Sequence, residues 1–150
     1  MNSFQTNPDL FLQLLGQSID DNLYQKFKEE FESSTFSRDN FTEKSPKTYD
    51  YDVLYKEKGI YLTILNNKVA SIKFYLSPNP VCTPYNGKTV NGLSAVVDET
   101  QAIRKFNFVK KGNYDPNHLI SEYIKENITI AFDSMTGEIL HVEISQNIAK

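Results

Sequence analysis

The sequence is poor in cysteine, has no tryptophan and contains no long apolar run. Its single cysteine, Cys82, excludes an internal disulfide and a metal site built from paired thiolates. No apolar stretch reaches the ~18–20 residues that a membrane-spanning helix needs, and the opening residues MNSFQ are polar. We therefore expect a cytoplasmic protein with no membrane partner.

Basic clusters are also scarce. The net charge is −3, and the chain up to Lys56 has six Lys or Arg residues against ten Asp or Glu. Nucleic-acid phosphates bind clustered lysine and arginine, so an acidic first third argues against a nucleic-acid partner. The acidic excess is compatible with a basic protein partner, although acidic helix faces that only maintain solubility are the commoner cause of such a bias.

What remains is an ordinary globular composition, with 39% hydrophobic and 23% charged residues in a chain of 150. We predict a single domain over residues 1–150. Its parts are a helical hairpin and connector at 1–47, a first meander at 48–76, a Pro/Gly-rich connector at 77–97, and a helix with a second meander at 98–150.

Three helices are predicted from caps and apolar spacing. Residues 7–9 (Asn-Pro-Asp) can open a helix that Gly16 ends, because Pro suits a first turn and glycine suits a helix end. A second helix is predicted over 18–32, where apolar residues recur at helical spacing. Asp98 followed by Gln101 predicts a third helix that ends near Phe106.

Strands are predicted where apolar and polar residues alternate. Asn66-Asn67 is typical of a tight hairpin turn between two of them. The polar segments 33–47 and 110–117 are predicted to be a connector and a loop. The fold class is therefore α+β, with an amino-terminal helical hairpin and an antiparallel sheet from two three-stranded meanders, separated by the third helix. The strands lie near 49–56, 60–64, 70–76, 123–124, 128–132 and 140–144.

The two meanders resemble each other in sequence. Residues 58–64 (KGIYLTI) align with residues 126–132 (ENITIAF), and in each a turn residue precedes three alternating apolar positions. Gly59 and Asn127 are the turn residues suited to positive φ. This pattern predicts a tandem α-βββ repeat, although any two antiparallel meanders share some of these features.

A more specific pattern lies in the run YNGKTVNGLS at 85–94, which precedes the predicted third helix, together with residues 55–60 and 67–72. These segments resemble small bacterial immunity proteins, the antidotes of polymorphic toxin systems such as contact-dependent inhibition. The helix-plus-meander unit is also similar to repeats in the β-lactamase inhibitory protein and in a small outer-membrane assembly lipoprotein. The resemblance covers about 49–145 and lacks a glycine near the end of the central helix, where Asn107 stands.

The resemblance implies a protein that binds and neutralises a cognate toxin by occluding its active site. The lipoprotein relatives carry a signal peptide and a lipidated cysteine, which this sequence lacks. Two alternatives stay open: a non-catalytic adaptor, assembly subunit or phage-type inhibitor of the same fold, and a small hydrolytic enzyme.

Catalytic chemistry has little support in the sequence. His141 lies on the polar side of the last predicted strand beside Glu143, and His118 lies in a loop or at a helix start, each without a third partner at ligand spacing. Cys82 lies between two prolines with no adjacent base. Phosphate loops, dinucleotide fingerprints and nucleophile elbows are absent. We therefore expect no catalytic, cofactor-binding or metal-ligating residues and interpret both histidines as surface residues.

The most suggestive feature combines tyrosine with carboxylates along the first meander. Tyrosine offers a large, rigid contact area with a polar tip, and neighbouring carboxylates steer a basic partner. The opposite interpretation is that the tyrosines pack under the helices while the acidic side chains are merely solvated. We predict a partner-binding surface, for a basic toxin domain, formed by Tyr49, Asp50, Asp52, Glu57 and Tyr61.

Overall fold

The described residues form three helices and one large sheet. The computed structural model describes residues 3–31, 36–44, 47–87, 89, 99–112 and 119–146. The helices are α1 (Asp9–Leu14), α2 (Asn22–Phe31) and α3 (Glu99–Arg104). The strands are β1 (Phe36–Lys44), β2 (Thr48–Tyr55), β3 (Ile60–Leu65), β4 (Lys68–Tyr75), β5 (Val109–Gly112), β6 (Ile120–Lys125), β7 (Ile128–Asp133) and β8 (Ile139–Ser145). The predicted α+β class is confirmed.

All eight strands pair in one antiparallel sheet with the order β1-β2-β3-β4-β8-β7-β6-β5. Strands β1 and β5 lie at the two edges, and β4 pairs with β8 at the centre. This central pairing places Lys73 directly across from Glu143 and Tyr75 across from His141. Side chains that are far apart in sequence therefore become neighbours in the middle of the sheet.

The structure differs from the sequence prediction at both edge strands. Residues 36–44, predicted as part of a polar connector, form β1, and Val109–Gly112 places a strand where the predicted loop at 110–117 begins. Edge strands pair on one side only, and charged residues on them discourage pairing with other chains. Their polar composition is therefore typical of edges and resembles that of a loop. The predicted residues Asp98 and His118 lie outside the described residues.

The turns follow backbone conformations that few residues adopt easily. Asn66 and Asn67 have φ of 52° and 64°, the two positive values of a type I′ turn, so the predicted tight hairpin is confirmed. Gly59 has φ of 68° before β3, but before β7 the positive φ of 56° falls on Glu126 and not on Asn127. Asn107 has φ of 61° and so adopts, just after α3, a conformation that favours glycine.

The helices pack on one face of the sheet. Alternate residues of β2, β3, β4, β7 and β8 are buried, and they form one core cluster with buried residues of all three helices. Burial of one face of an antiparallel sheet explains the period-two pattern of the sequence. The core therefore lies between the helices and this face, which we call the helix face.

An aromatic cluster joins the first 31 residues to the sheet. Phe11 is fully buried, with its ring centroid 4.8 Å from that of Phe74 and 5.1 Å from that of Phe4. Phe27 continues the cluster, at 5.4 Å from the ring of Tyr55. On the second half of the sheet, the Tyr123 hydroxyl donates a hydrogen bond to the Glu99 carboxylate of α3. Each half of the sheet thus holds its own helical segment.

The segment 77–87 is irregular, as its prolines predict, but it is not wholly a surface connection. Tyr85 is buried against Phe74 with ring centroids 5.0 Å apart. Cys82 is buried too, and its backbone N–H donates a 3.0 Å hydrogen bond to Oδ1 of Asn79. In the described part of the chain, no helix has the length and hydropathy needed to cross a membrane.

Candidate functional site

The sheet has a second face that the described helices do not cover. We call it the open face, and on β2 it carries Asp50, Asp52 and Leu54, which alternate with the buried residues of the helix face. Most of its side chains on β3, β4 and β8 are partly exposed, in contrast to their fully buried neighbours. Among the described residues this is the less buried face of the sheet, although Leu54 and Ala131 on it keep only 6% and 0% of their surface exposed.

One line of side chains crosses the open face from β2 to β5. The strand registers place these residues in direct succession, one from each strand. The line has apolar ends and a charged centre, where β4 meets β8. We call it the transverse row, and it consists of Leu54, Tyr61, Lys73, Glu143, Thr129, Ile124 and Val109.

The centre of the row is a lysine between two tyrosines. The Lys73 Nζ lies 5.9 Å from the ring centroid of Tyr61 and 5.9 Å from that of Tyr75. Cations are attracted to the faces of aromatic rings within about 6 Å. The two rings therefore hold the ammonium group in a defined place at the middle of the open face.

His141 lies beside this lysine and corrects the interpretation of a surface histidine. Its ring is 6.1 Å from the ring of Tyr75, and its Nδ1 is buried without a hydrogen-bond partner among the described residues. Burial and the positive charge of Lys73 lower the pKa of His141 to about 4. The imidazole is therefore neutral at neutral pH.

The other perturbed groups near this centre also favour their neutral forms. Burial, with the charges of Cys82 and Glu143, raises the pKa of Tyr75. Burial raises the pKa of the Cys82 thiol, and a hydrogen bond with Asn79 only partly opposes this. Nucleophilic catalysis requires the opposite shift for a thiol, because the thiolate is the reactive form. No three His, Cys, Asp or Glu residues within the described ranges are placed to hold a metal ion.

Three of the five predicted site residues, Asp50, Asp52 and Tyr61, lie on the open face. Both carboxylates are held within the chain. Asp50 lies 2.7 Å from Lys44 Nζ and accepts a 2.8 Å hydrogen bond from the backbone N–H of Asn66. The contact with Lys44 and the bond from Asn66 lower the pKa of Asp50. These contacts fix the carboxylate at the end of β2.

Asp52 is fixed in a similar way, because its Oδ2 accepts a 2.6 Å hydrogen bond from Nδ2 of Asn40. Asn40 has φ of 57° and lies at the irregularity where the β1–β2 register shifts. Asp52 therefore stabilises a bulge of the edge strand. Charge reversal at Asp50 and Asp52 would disturb this edge as well as any partner contact.

The other two predicted residues lie elsewhere. Tyr49 is on the helix face, where it packs against the core and stacks on Phe41 at 5.1 Å. It borders a cavity of about 440 Å³ between α2 and the β1–β2 hairpin, whose lining includes Tyr24, Tyr51 and Lys28. Glu57 is exposed in the turn between β2 and β3. The structure thus separates these two residues from the open face.

Sequence reasoning missed Lys73, Glu143 and His141 as parts of one surface. The alternation of β4 and β8 places Lys73 and Glu143 on the polar side of their strands, which was readable from the sequence. Their position across from each other depends on the β4–β8 pairing, which local patterns do not encode. Comparison of the chain with protein-family models, curated proteins and solved structures gives no match. The resemblance to immunity proteins therefore stays a prediction, and function has to be argued from the surface itself.

Proposed function

We propose that this chain is a cytoplasmic immunity protein that binds a cognate bacterial toxin and blocks its active site. The observation that carries the proposal is the open face, an eight-stranded surface with two tyrosines around a central lysine. Aromatic side chains that are held in place make efficient interface anchors because little entropy is lost on binding.

The size of the open face fits a protein partner better than a small molecule. Eight strands about 4.8 Å apart and about 20 Å long span roughly 700 Å². A standard protein–protein interface buries about 800 Å² on each partner. The open face alone is therefore close to the area that a specific complex needs.

Charge supports a basic partner. The described open face carries Asp52, Glu122 and Glu143 on β2, β6 and β8, with Lys73 at its centre, while Asp50 is paired with Lys44. Carboxylates around an aromatic centre would increase the association rate of a basic toxin domain. In this arrangement Tyr61 and Tyr75 anchor the complex, and the carboxylates orient it.

Occlusion is the mechanism that this chemistry favours. Tyr75, Cys82 and His141 all have pKa values shifted toward their neutral forms. Such groups donate and accept hydrogen bonds but are not activated for nucleophilic attack. The toxin would be blocked by contact, with no covalent step.

We also propose that α1 and α2 form a helical hairpin and that the two halves of the chain are copies of one unit. The ring contacts of Phe11 with Phe27 and Phe31 support the hairpin. The mirrored strand order β1-β2-β3-β4 and β8-β7-β6-β5 supports the duplication, with a unit of four strands in place of the predicted three. Such a duplication would give the open face two similar halves.

Growth rescue tests the function. A toxin candidate encoded beside this chain is expressed with the wild type, with the double variant Y61A/Y75A, or with F41A, which removes an exposed ring on the other face. We expect rescue by the wild type and by F41A, and loss of rescue by Y61A/Y75A. A toxic neighbour that is not neutralised by the wild type contradicts the proposal, as does full rescue by the folded double variant.

An adaptor or assembly subunit with a constitutive partner is distinguished by the same experiment. It would bind its partner through the open face, but that partner would not be toxic when expressed alone. Binding without toxicity therefore rejects the immunity function while retaining the surface.

A further inference from the structure

We infer that the open face binds a second copy of the chain when no toxin occupies it, in a symmetric face-to-face dimer that competes with the toxin. The inference of a dimer does not rest on the toxin proposal. It rests on the order of residues in the transverse row. The residues on the β4 side of the boundary between β4 and β8 are complementary to those on the β8 side. Symmetric dimers require such a self-complementary patch, because each contact between two different residues then occurs twice, once from each copy.

The row can be followed outward from the β4–β8 boundary in both directions. Lys73 and Glu143 are the first residues on either side, and Tyr61 and Thr129 are the second. A two-fold axis parallel to the strands at this boundary, lying between two facing sheets, exchanges the two sides. Each lysine then faces the glutamate of the second copy, and each tyrosine faces a threonine.

The same rotation matches the remaining positions. Leu54, which keeps only 6% of its surface exposed, and Ile124 are the third residues on either side, so both third positions are apolar. In the adjacent row, Tyr75 of one copy faces His141 of the other, and the phenol can donate a hydrogen bond to a neutral imidazole. These four pairs are therefore compatible in charge or polarity.

The central charges are available for this pairing. Among the described residues an ion pair joins Lys44 to Asp50, whereas none joins Lys73 to Glu143. Both residues are partly exposed, and facing sheets pack about 10 Å apart, within reach of two long side chains. The dimer would therefore contain two equivalent lysine–glutamate pairs close to its axis.

The area is sufficient for a specific dimer. The open face spans about 700 Å² on each copy, so the dimer would bury at most roughly 1,400 Å² in total, within the range of about 1,200–2,000 Å² for specific interfaces. Because sheets twist, contacts are tightest near the axis and loosen toward the edges. The central residues Lys73 and Glu143 therefore decide whether the dimer forms.

Sedimentation of the full chain tests the inference. We expect a species of two 17.2 kDa chains that dissociates on dilution. K73E places Glu against Glu143 of the second copy, and E143K places Lys against Lys73, so each should weaken association at least about tenfold. K26E reverses an exposed lysine on α2 and should leave the dimer intact.

Mixing the two variants gives the decisive result. In a pair formed by K73E and E143K, both facing contacts join opposite charges, so an equimolar mixture should dimerise although each variant alone does not. Restoration also shows that both variants are folded. A monomeric wild type at every concentration, a dimer unaffected by K73E, or a mixture that stays monomeric would each overturn the inference. If the wild type is monomeric and still rescues growth from the toxin, the dimer inference fails while the proposed function stands.

Discussion

Lys73 lies directly across from Glu143 at the centre of the sheet, and its ammonium is 5.9 Å from the ring of Tyr75. This position also determines the chemistry of His141, which lies across from Tyr75 and has an unpaired, buried Nδ1. The centre of the open face thus combines one fixed cation with an imidazole that resists protonation.

Acid should destabilise the protein through His141. Its folded-state pKa of about 4 lies below the usual value of about 6.5, so the unfolded chain binds the proton more readily. This contribution to the free energy of unfolding is fully present above pH ~6.5 and is lost as the pH falls toward ~4, by about 2–3 kcal/mol. Urea unfolding of the wild type and of H141L over this range measures it as the difference between the two curves.

His141→Leu should also stabilise the protein at neutral pH. It removes a buried nitrogen that has no hydrogen-bond partner, and an unsatisfied buried group costs about 1–3 kcal/mol. We expect a gain of roughly 1 kcal/mol at pH 7, since the replacement does not fill the space perfectly. If the free energy of unfolding of the two proteins falls by the same amount as the pH is lowered, the low pKa does not belong to His141.

Phe11→Ala should destabilise the fold strongly. The ring is fully buried and touches the rings of Phe4, Phe74 and Tyr85, so its removal leaves a cavity between α1 and the sheet. We expect a loss of about 3–5 kcal/mol in the free energy of unfolding. Leu12→Ala is the matched control on the same helix, with a side chain that is 38% exposed, and should cost under about 1 kcal/mol.

Two glycines with similar backbone conformations should respond differently to alanine. Gly59 has φ of 68°, and an added Cβ would collide with backbone atoms of Thr83 and Tyr85. Gly137 has φ of 75° with no atom within 4 Å of an added Cβ. We expect a cost of about 1–2 kcal/mol at Gly137, from backbone conformation alone, and a clearly larger one at Gly59. Equal losses in thermal unfolding would show that the segment 83–85 does not pack as described.

The ion pair at the edge of the sheet can be tested by titration. Asp50 contacts Lys44 and the N–H of Asn66, which together lower its pKa. Lys44→Ala should raise the pKa of Asp50 toward its ordinary value, while Lys26→Ala on α2 should not change it. NMR titration of the Asp50 carboxyl carbon measures this pKa, and an identical titration in K44A would exclude the contact in solution.

Alternation predicted much of the sheet and part of the site. The six inner strands were readable because one face of each is buried, whereas β1 and β5 were missed because edge strands carry polar residues on both sides. Alternation also places Tyr49 and Asp50 on opposite faces of β2, so of the predicted partner-binding residues only Asp50, Asp52 and Tyr61 share the open face. The position of Lys73 across from Glu143 was not predictable, because strand order depends on long-range packing.

Hydroxyl-radical footprinting of the chain, alone at a dilution that keeps it monomeric and in complex with the proposed toxin partner, tests the central claim most directly. We predict that oxidation of Tyr61 and Tyr75 slows markedly in the complex, while oxidation of Phe41 and Leu12, which are exposed on the other side of the sheet, keeps its rate. Protection of Phe41 and Leu12 with unchanged rates at Tyr61 and Tyr75 would place the partner on the helix side and contradict the account.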